Sequence, residues 1–275
     1  MTPSDRAADE PPPIRRTWIV SHDYTAPVIV AALDRSAPSR CITALAAGLI
    51  KRMGWRLALV PVPLTATDAD RRSRLVAAAV DEQAALIASP ATDHRSSGGA
   101  AVACLALAAC APCPVLRVPL APGTEPALNG PVICGIDGAE CSAPIARAAA
   151  RLAVALSARL ELVHVAAPRE NGAAAHAGLP GPFSGRIWRA LHSLEALPPA
   201  KTVVESGDPA GRLCSLAESE RALLVIGAPA NGEAESEGRL AATILTESRM
   251  PVAVVSGADR SVPAVAGVGL NAVTA

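Results

Sequence analysis

Short apolar runs rich in Val, Leu and Ile alternate along the chain with longer segments in which apolar residues recur at helical spacing. Such runs are typical of strands buried on both faces of a parallel sheet. The pattern predicts strands at 28–33, 57–62, 86–88, 115–118, 132–136, 160–165, 202–205, 223–226 and 252–255. It predicts helices at 39–53, 68–80, 100–109, 142–157 and 240–248, another starting at 209, and a short one within 183–197. This alternation predicts a parallel sheet with helices on both faces.

The chain also matches itself. At a shift of 103 residues, Asp34 aligns with Asp137 and the apolar positions that follow coincide. Further along, Ile87 aligns with Ile226 at a shift of 139, so the second copy has 36 additional residues in its middle. A repeat of this length indicates two copies of one structural unit. The first copy is therefore predicted to lack one strand and one helix.

These matches define four segments. The first copy is predicted at 25–120 and the second at 130–256. Residues 1–24 are polar and Pro-rich, and residues 257–275 are rich in Ala, Gly and Val without a clear period. Both end segments are predicted to be flexible.

Several short sequence motifs occur in the same order in both copies. Each copy opens with a strand that ends in Asp and closes with a helix-to-strand turn containing Pro-Val, and the second copy has a Gly-Asp-Pro helix start. The segments are 34–36, 111–116, 137–139, 160–165, 207–210 and 250–255. Together they resemble the universal stress protein family over residues 25 to 256.

The resemblance implies two tandem doubly wound α/β domains with parallel sheets, Rossmann-like and similar to the adenine nucleotide alpha hydrolases. The family's strand order is 3-2-1-4-5, so the third strand lies at an edge and can be lost without splitting the sheet. Family members pair through the fifth strand. We therefore expect an internal pseudo-dimer in which 115–118 lies beside 252–255, with further dimerisation left open.

The resemblance also implies where ATP would bind. ATP-binding members have a loop of the form G-x2-G-x9-G-[ST] between strand four and helix four, whose backbone N–H groups hold the phosphates. The Asp after strand one, here Asp34 or Asp137, faces the nucleoside. The crevice lies where the strand order reverses, between strands one and four.

The second copy matches this loop in part. Gly227 and Gly238 match its first and last glycines, but Ala230 stands at the second glycine and Arg239 at the final Ser or Thr. The loop is also two residues shorter and contains Glu233, Glu235 and Glu237. Three carboxylates near a polyphosphate are repulsive unless a metal or Arg239 compensates them. The favoured interpretation is a solvated acidic loop.

The corresponding loop of the first copy differs more in sequence but suits an anion better. It contains Arg95, Ser96, Ser97, Gly98 and Gly99 immediately before a predicted helix. Small residues at a helix start can form an anion-binding nest, and Arg95 adds positive charge. A capped helix behind a plain loop explains the same residues, and both interpretations stay open.

Catalytic and metal-binding signatures are not found in the sequence. Cys110 and Cys113 form a C-x-x-C, but the pair follows a helix instead of preceding one, so structural thiols are the favoured interpretation. His164 ends a predicted strand, where it could contact a ligand or simply be a hydrogen-bonded strand-end residue. We expect no catalytic residues, no metal site and no enzymatic activity.

The composition limits the classes of partner that the chain is expected to bind. Lys plus Arg and Asp plus Glu number 25 each, which gives no electrostatic signature for nucleic acid or an anionic membrane. The uncharged stretch 100–116 is Ala-rich and contains Pro112 and Pro114, which favours a helix and a buried strand over a membrane span. Seven cysteines do not form a disulfide framework, and no secretory signal is recognised, so we expect a cytoplasmic protein.

Three functions are consistent with these features. The first is a non-catalytic stress-response or signalling module, regulated by an adenine nucleotide with ATP as the candidate ligand. The second is a protein-interaction module, with an unidentified partner and both nucleotide sites decayed. The third is an enzyme that acts on adenylated substrates on a related fold.

Overall fold

A computed structural model of the 275-residue chain describes residues 17–19, 26–33, 54–63, 65–90, 97–119, 129–137, 142–166, 200–228 and 235–256, together with the helical positions 42, 46, 48 and 50. The strands are β1 Thr17–Ile19, β2 Val28–Leu33, β3 Arg56–Pro61, β4 Leu86–Pro90, β5 Val115–Val118, β6 Val132–Gly135, β7 Leu160–Ala166, β8 Ala200–Ser206, β9 Leu223–Ala228 and β10 Val252–Ser256. The helices are α1 Asp68–Asp81, α2 Ser97–Cys110, α3 Ser142–Ala155, α4 Pro209–Glu220 and α5 Glu235–Glu247. The helix predicted within 183–197 lies outside the described residues.

The described strands form one ten-stranded sheet in the order β1-β3-β2-β4-β5-β10-β9-β6-β7-β8. In the second half of the chain, β8-β7-β6-β9-β10 are parallel neighbours, which is the predicted order 3-2-1-4-5. In the first half, β3-β2-β4-β5 are also parallel. The predicted α/β fold with a mostly parallel sheet is confirmed.

The outer edge of the first half differs from the sequence prediction. Over the described residues, the chain passes from β3 to α1 without a third parallel strand, as expected. However, β1 pairs antiparallel with β3 at that edge, so residues 17–19 of the segment predicted to be flexible form part of the sheet. An uncovered edge strand exposes unpaired N–H and C=O groups, which β1 satisfies along part of β3.

The two halves meet through their final strands. β5 and β10 pair antiparallel, with Val115 opposite Val254 and Leu116 opposite Ala253, as predicted. Helices α2 and α5 pack against each other on one side of this junction. Arg117 on β5 is 9% exposed, and its Nη1 donates to the Ser248 carbonyl of the other half at 3.4 Å. Strand pairing, helix packing and a buried side chain therefore all connect the halves.

Helices cover both faces of the sheet. α3 and α4 both pack on β7 and β9, so they lie on opposite faces. On the face of the sheet that carries α4, four helices lie side by side. α1 contacts α2, α2 contacts α5, and α5 contacts α4. The core consists largely of Ala, Val, Leu and Ile, since aromatic residues are only 2% of the chain. Small side chains such as Ala146, Ala149 and Ala153 let α3 lie close to the sheet.

Two helix starts follow directly from local sequence. The Thr67 hydroxyl caps α1 by accepting from the Asp70 amide, and the Asp70 carboxylate accepts from the Thr67 amide, which completes a capping box. Asp208 caps α4 by accepting from the Gly211 amide at 2.7 Å, with Pro209 in the first turn, as predicted. The prediction that the last helix starts at Leu240 was wrong: α5 begins at Glu235. Acidic residues in a first turn generally stabilise a helix start, because the positive end of the helix dipole attracts negative charge.

Candidate functional site

In both halves the strand order reverses at the place where a ligand crevice is expected. In the second half this switch lies between β6 and β9, and in the first half between β2 and β4. Chain connections leave on opposite faces at such a point, which opens a cleft at the carboxyl ends of the strands.

Asp137 lies at the carboxyl end of β6 and is exposed at this switch point. Its Oδ1 accepts a hydrogen bond from the Ser142 hydroxyl at 2.7 Å, and Ser142 is the buried first residue of α3. The carboxylate is therefore held across the turn from strand to helix. This places Asp137 at the end of its strand, as the sequence predicted, and shows that the Ser142 hydroxyl positions its carboxylate.

His164 joins the ends of β7 and β6. Its Nδ1 lies 2.9 Å from the carbonyl oxygen of Ile136, and the side chain is half-buried. A carbonyl oxygen only accepts, so Nδ1 carries the proton in this contact. The imidazole thus stabilises the backbone beside Asp137, which favours the strand-end interpretation of this histidine.

Gly227, the penultimate residue of β9, packs closely against α3. A Cβ on this residue would lie 2.5 Å from Cδ1 of Ile145 on α3, closer than two carbons approach without strain. Gly135 at the end of β6 approaches α4 in a similar way, since its Cβ would lie 3.0 Å from Cδ1 of Leu213. Sequence reasoning missed Gly135, although a glycine within an otherwise apolar strand signals close approach of another element.

The remaining candidates of the second half lie along α5. Gly238 is the fourth residue of α5 and is half-buried, and Arg239 is exposed. Glu235, predicted to lie in a loop, is the first helical residue.

In the first half, α2 begins at Ser97, three residues before the predicted start at Ala100. Ser97, Gly98 and Gly99 are therefore its first turn, at the carboxyl end of β4. The N–H groups of a first turn have no partners within the helix and point toward this end of the sheet. Asp34, Arg95 and Ser96 lie outside the described residues.

The described thiols are not prepared for nucleophilic chemistry. Burial raises the pKa of Cys104, Cys113 and Cys134 to about 12. Burial also raises the pKa of Cys214 to about 11. Thiolates are therefore scarce near neutral pH at these positions. Cys110 and Cys113 both carry free thiols, and Cys110 is exposed at the end of α2.

The described parts of the chain contain no group of three or more His, Cys, Asp or Glu side chains arranged to hold a metal ion. They also contain no helix with the length and apolar character needed to cross a bilayer.

Comparisons with known proteins agree with this geometry. A model of the universal stress protein family matches residues 129–256. A universal stress protein from Archaeoglobus fulgidus DSM 4304 has a similar structure, with 13% identity and a TM-score of 0.59 over 85% of this chain and 97% of that one. A protein assigned to the same family, from Pseudomonas aeruginosa UCBPP-PA14, has 17% identity and a TM-score of 0.51, covering 85% of this chain and 83% of its own.

A further structure, a universal stress protein in complex with cAMP, aligns with 46% of this chain and 97% of its own length. Its identity is 22% and its TM-score is 0.38. No curated protein sequence matches the chain. The family match and the shared fold lead to one conclusion: residues 129–256 of this chain form a domain of the universal stress protein family.

Proposed function

We propose that the chain is a non-catalytic stress-response or signalling module made of two universal stress protein-like halves arranged as a pseudo-dimer, at 25–120 and 130–256. Family membership of the second half supports a stress-response role. The antiparallel pairing of β5 with β10 supports the pseudo-dimer, because two parallel sheets joined in this way are related by an approximate two-fold rotation about the junction.

We further propose that an adenine nucleotide, with ATP as the candidate, binds at the switch point of the first half and regulates the module. One observation carries this choice: Ser97, Gly98 and Gly99 are the first turn of α2, beside the carboxyl end of β4. Backbone N–H groups there, with Arg95 immediately before them, suit phosphate oxygens. Asp34 would contact the nucleoside at the end of β2.

The second half is less suited to phosphate. Gly227 is occupied with packing against Ile145, and the last helix opens with glutamates. A phosphate there would approach a segment whose sequence contains three glutamates, and like charges repel. In this proposal the second half keeps the fold and Asp137 but does not hold the nucleotide.

Calorimetry with ATP, with and without magnesium, tests the choice of half. Arg95→Ala and Asp34→Ala should each weaken binding at least about tenfold, as expected for lost charge-assisted hydrogen bonds. Asp137→Ala should leave it unchanged. Binding abolished by Asp137→Ala alone would place the nucleotide in the second half. A chain that binds no ATP under any of these conditions would support the protein-interaction module.

A further inference from the structure

A cavity of about 30 Å³ lies between α1 and α2 in the first half, above the end of β4. One water needs at least about 10–15 Å³ measured this way, so the cavity has room for a small polyatomic group. Its described lining includes Ala100 and Ala103 of α2 but none of Ser97, Gly98 and Gly99. The cavity therefore differs from the contacts proposed above for a nucleotide.

The lining combines two cations with one anion. Arg71 and Arg72 of α1 contribute guanidinium groups, and Asp68 contributes a carboxylate. Ser89 adds a hydroxyl group from the carboxyl end of β4. The net charge of these groups is positive, so the lining favours an anion over a cation.

Two other charged residues of α1, Asp70 and Arg74, interact with each other. Asp70 accepts from both the amide and the hydroxyl of Thr67, and these hydrogen bonds hold the pKa of its carboxyl below the usual value. Arg74 lies close enough to Asp70 to lower that pKa further. Asp70 and Arg74 are absent from the described lining, so Arg71 and Arg72 are its cationic groups.

The opposite wall is apolar. Leu75, Cys104 and Leu107 are buried and form part of the lining. An apolar wall lowers the local dielectric and strengthens the attraction between a guanidinium and an anion. Arginine also matches the geometry of phosphate oxygens with paired N–H groups. The start of α1 at Asp68 brings the positive end of its dipole to the same place.

We propose that this cavity binds a small oxyanion of the phosphate class through Arg71, Arg72 and Ser89. The proposal goes beyond the nucleotide function and does not depend on it, because the two sets of described residues do not overlap. The oxyanion can come from free inorganic phosphate or from a phosphorylated ligand that reaches the cavity. Both sources share the chemistry that these side chains recognise.

The experiment measures inorganic phosphate binding to the full chain by calorimetry at constant ionic strength, with chloride replacing phosphate in the reference titration. Arg72→Gln removes a cavity charge, and Arg74→Gln is the matched control on the same helix. Arg72→Gln should weaken phosphate binding at least about tenfold, and Arg74→Gln should change it less than about twofold. Circular dichroism without phosphate checks that both variants are equally folded.

Separate titrations with ATP and adenosine distinguish the source. If Arg72→Gln also weakens ATP binding while adenosine binding is unaffected, the oxyanion belongs to a phosphorylated ligand. If only phosphate binding falls, the ligand is free phosphate. The proposal is overturned if the unmodified chain shows no saturable phosphate binding, or if both variants weaken it equally. Because phosphate binding is measured directly, the proposal can stand when ATP binding fails, and the reverse also holds.

Discussion

The two halves of the sheet differ most clearly beside their outer strands. In the second half, Glu161 on β7 is 3% exposed, and its carboxylate lies 3.6 Å from Lys201 Nζ on the neighbouring edge strand β8. At the corresponding position of the first half, 103 residues earlier, stands Ala58, which is fully buried and pairs with the short strand β1. The half with a full edge strand has a buried charge, and the half without that strand has a methyl group there.

This difference has a physical explanation. A buried carboxylate is costly unless a cation lies within reach, and Glu161 lies 3.7 Å from Arg159 Nη1 and directly opposite Lys201 on β8. Without that strand a carboxylate at position 58 would have lost this partner. A buried alanine at position 58 is therefore consistent with the absence of the edge strand that carries Lys201 in the second half.

The junction should give the largest effect, because it makes one sheet out of two. Val115 and Val254 face each other across it and are fully buried. Val115→Asp together with Val254→Asp should destabilise the protein by more than about 4 kcal/mol, since two unpaired carboxylates would be buried. Thermal unfolding followed by circular dichroism measures the loss, and small-angle scattering detects separation of the halves.

The matched control for the junction is Val102→Asp on α2, where the valine is 63% exposed. It should change stability by less than about 0.5 kcal/mol. If the double variant kept the melting temperature and the scattering profile of the unmodified chain, the halves would not depend on this pairing.

A second contrast lies where β9 and β4 pack against helices. Gly227 in the second half corresponds to Ala88 in the first, and Ile145 corresponds to Ile42. Gly227→Ala should cost about 1–3 kcal/mol, because the new Cβ would overlap Cδ1 of Ile145. Adding Ile145→Val removes that carbon and should recover part of the loss. Chemical denaturation of the single and double variants measures both changes.

Gly48→Ala serves as a control for that contrast, because a Cβ at this helical position meets nothing within 4 Å. It should be neutral or stabilising by up to about 1 kcal/mol, given the helix propensity of Ala. An unchanged stability for Gly227→Ala would remove the packing explanation and leave Gly227 available for a ligand.

The edge comparison itself predicts a smaller effect. Lys201→Met keeps the aliphatic stem and removes the charge opposite Glu161, which should cost about 1 kcal/mol because Lys201 is itself largely exposed. Glu161→Leu should be close to neutral or stabilising, and the double variant should recover the loss caused by Lys201→Met. A double-mutant cycle by urea denaturation checks this, with Arg151→Met on the exposed side of α3 as the control. A larger loss for Glu161→Leu than for Lys201→Met would contradict this account of the pair.

The smallest effect concerns the turn before the second strand of each half. Gly54 has φ +67°, and Ser157, which is 103 residues later, has φ +51°. A left-handed conformation costs a residue with a Cβ about 1 kcal/mol more than glycine. Ser157→Gly should therefore stabilise the protein by up to about 1 kcal/mol, and Gly54→Ser should destabilise it by a similar amount. Melting temperatures that move in the same direction for both variants would contradict the correspondence.

Much of the architecture was accessible from the sequence. Apolar runs and the Gly-Asp-Pro start of α4 act within a few residues, so periodicity and helix-start signals predicted most of the described helices and parallel strands. The self-match predicted that the first half lacks a third parallel strand, which agrees with its described residues, and that β5 lies beside β10. The position of Asp137 at the end of its strand also followed from sequence.

Tertiary structure decided what depends on neighbours distant in the chain. The pairing of Thr17–Ile19 with β3 needed an open edge, which a Pro-rich segment alone does not reveal. Gly227 packs closely against Ile145 on α3, which is a different element. The Ser142 hydroxyl donates to the Asp137 carboxylate and fixes its orientation. The cavity between α1 and α2 exists only where the two helices pack. Sequence patterns report local conformation and burial, whereas strand edges, close approaches and cavities arise from the shapes of elements that meet only when the chain has folded.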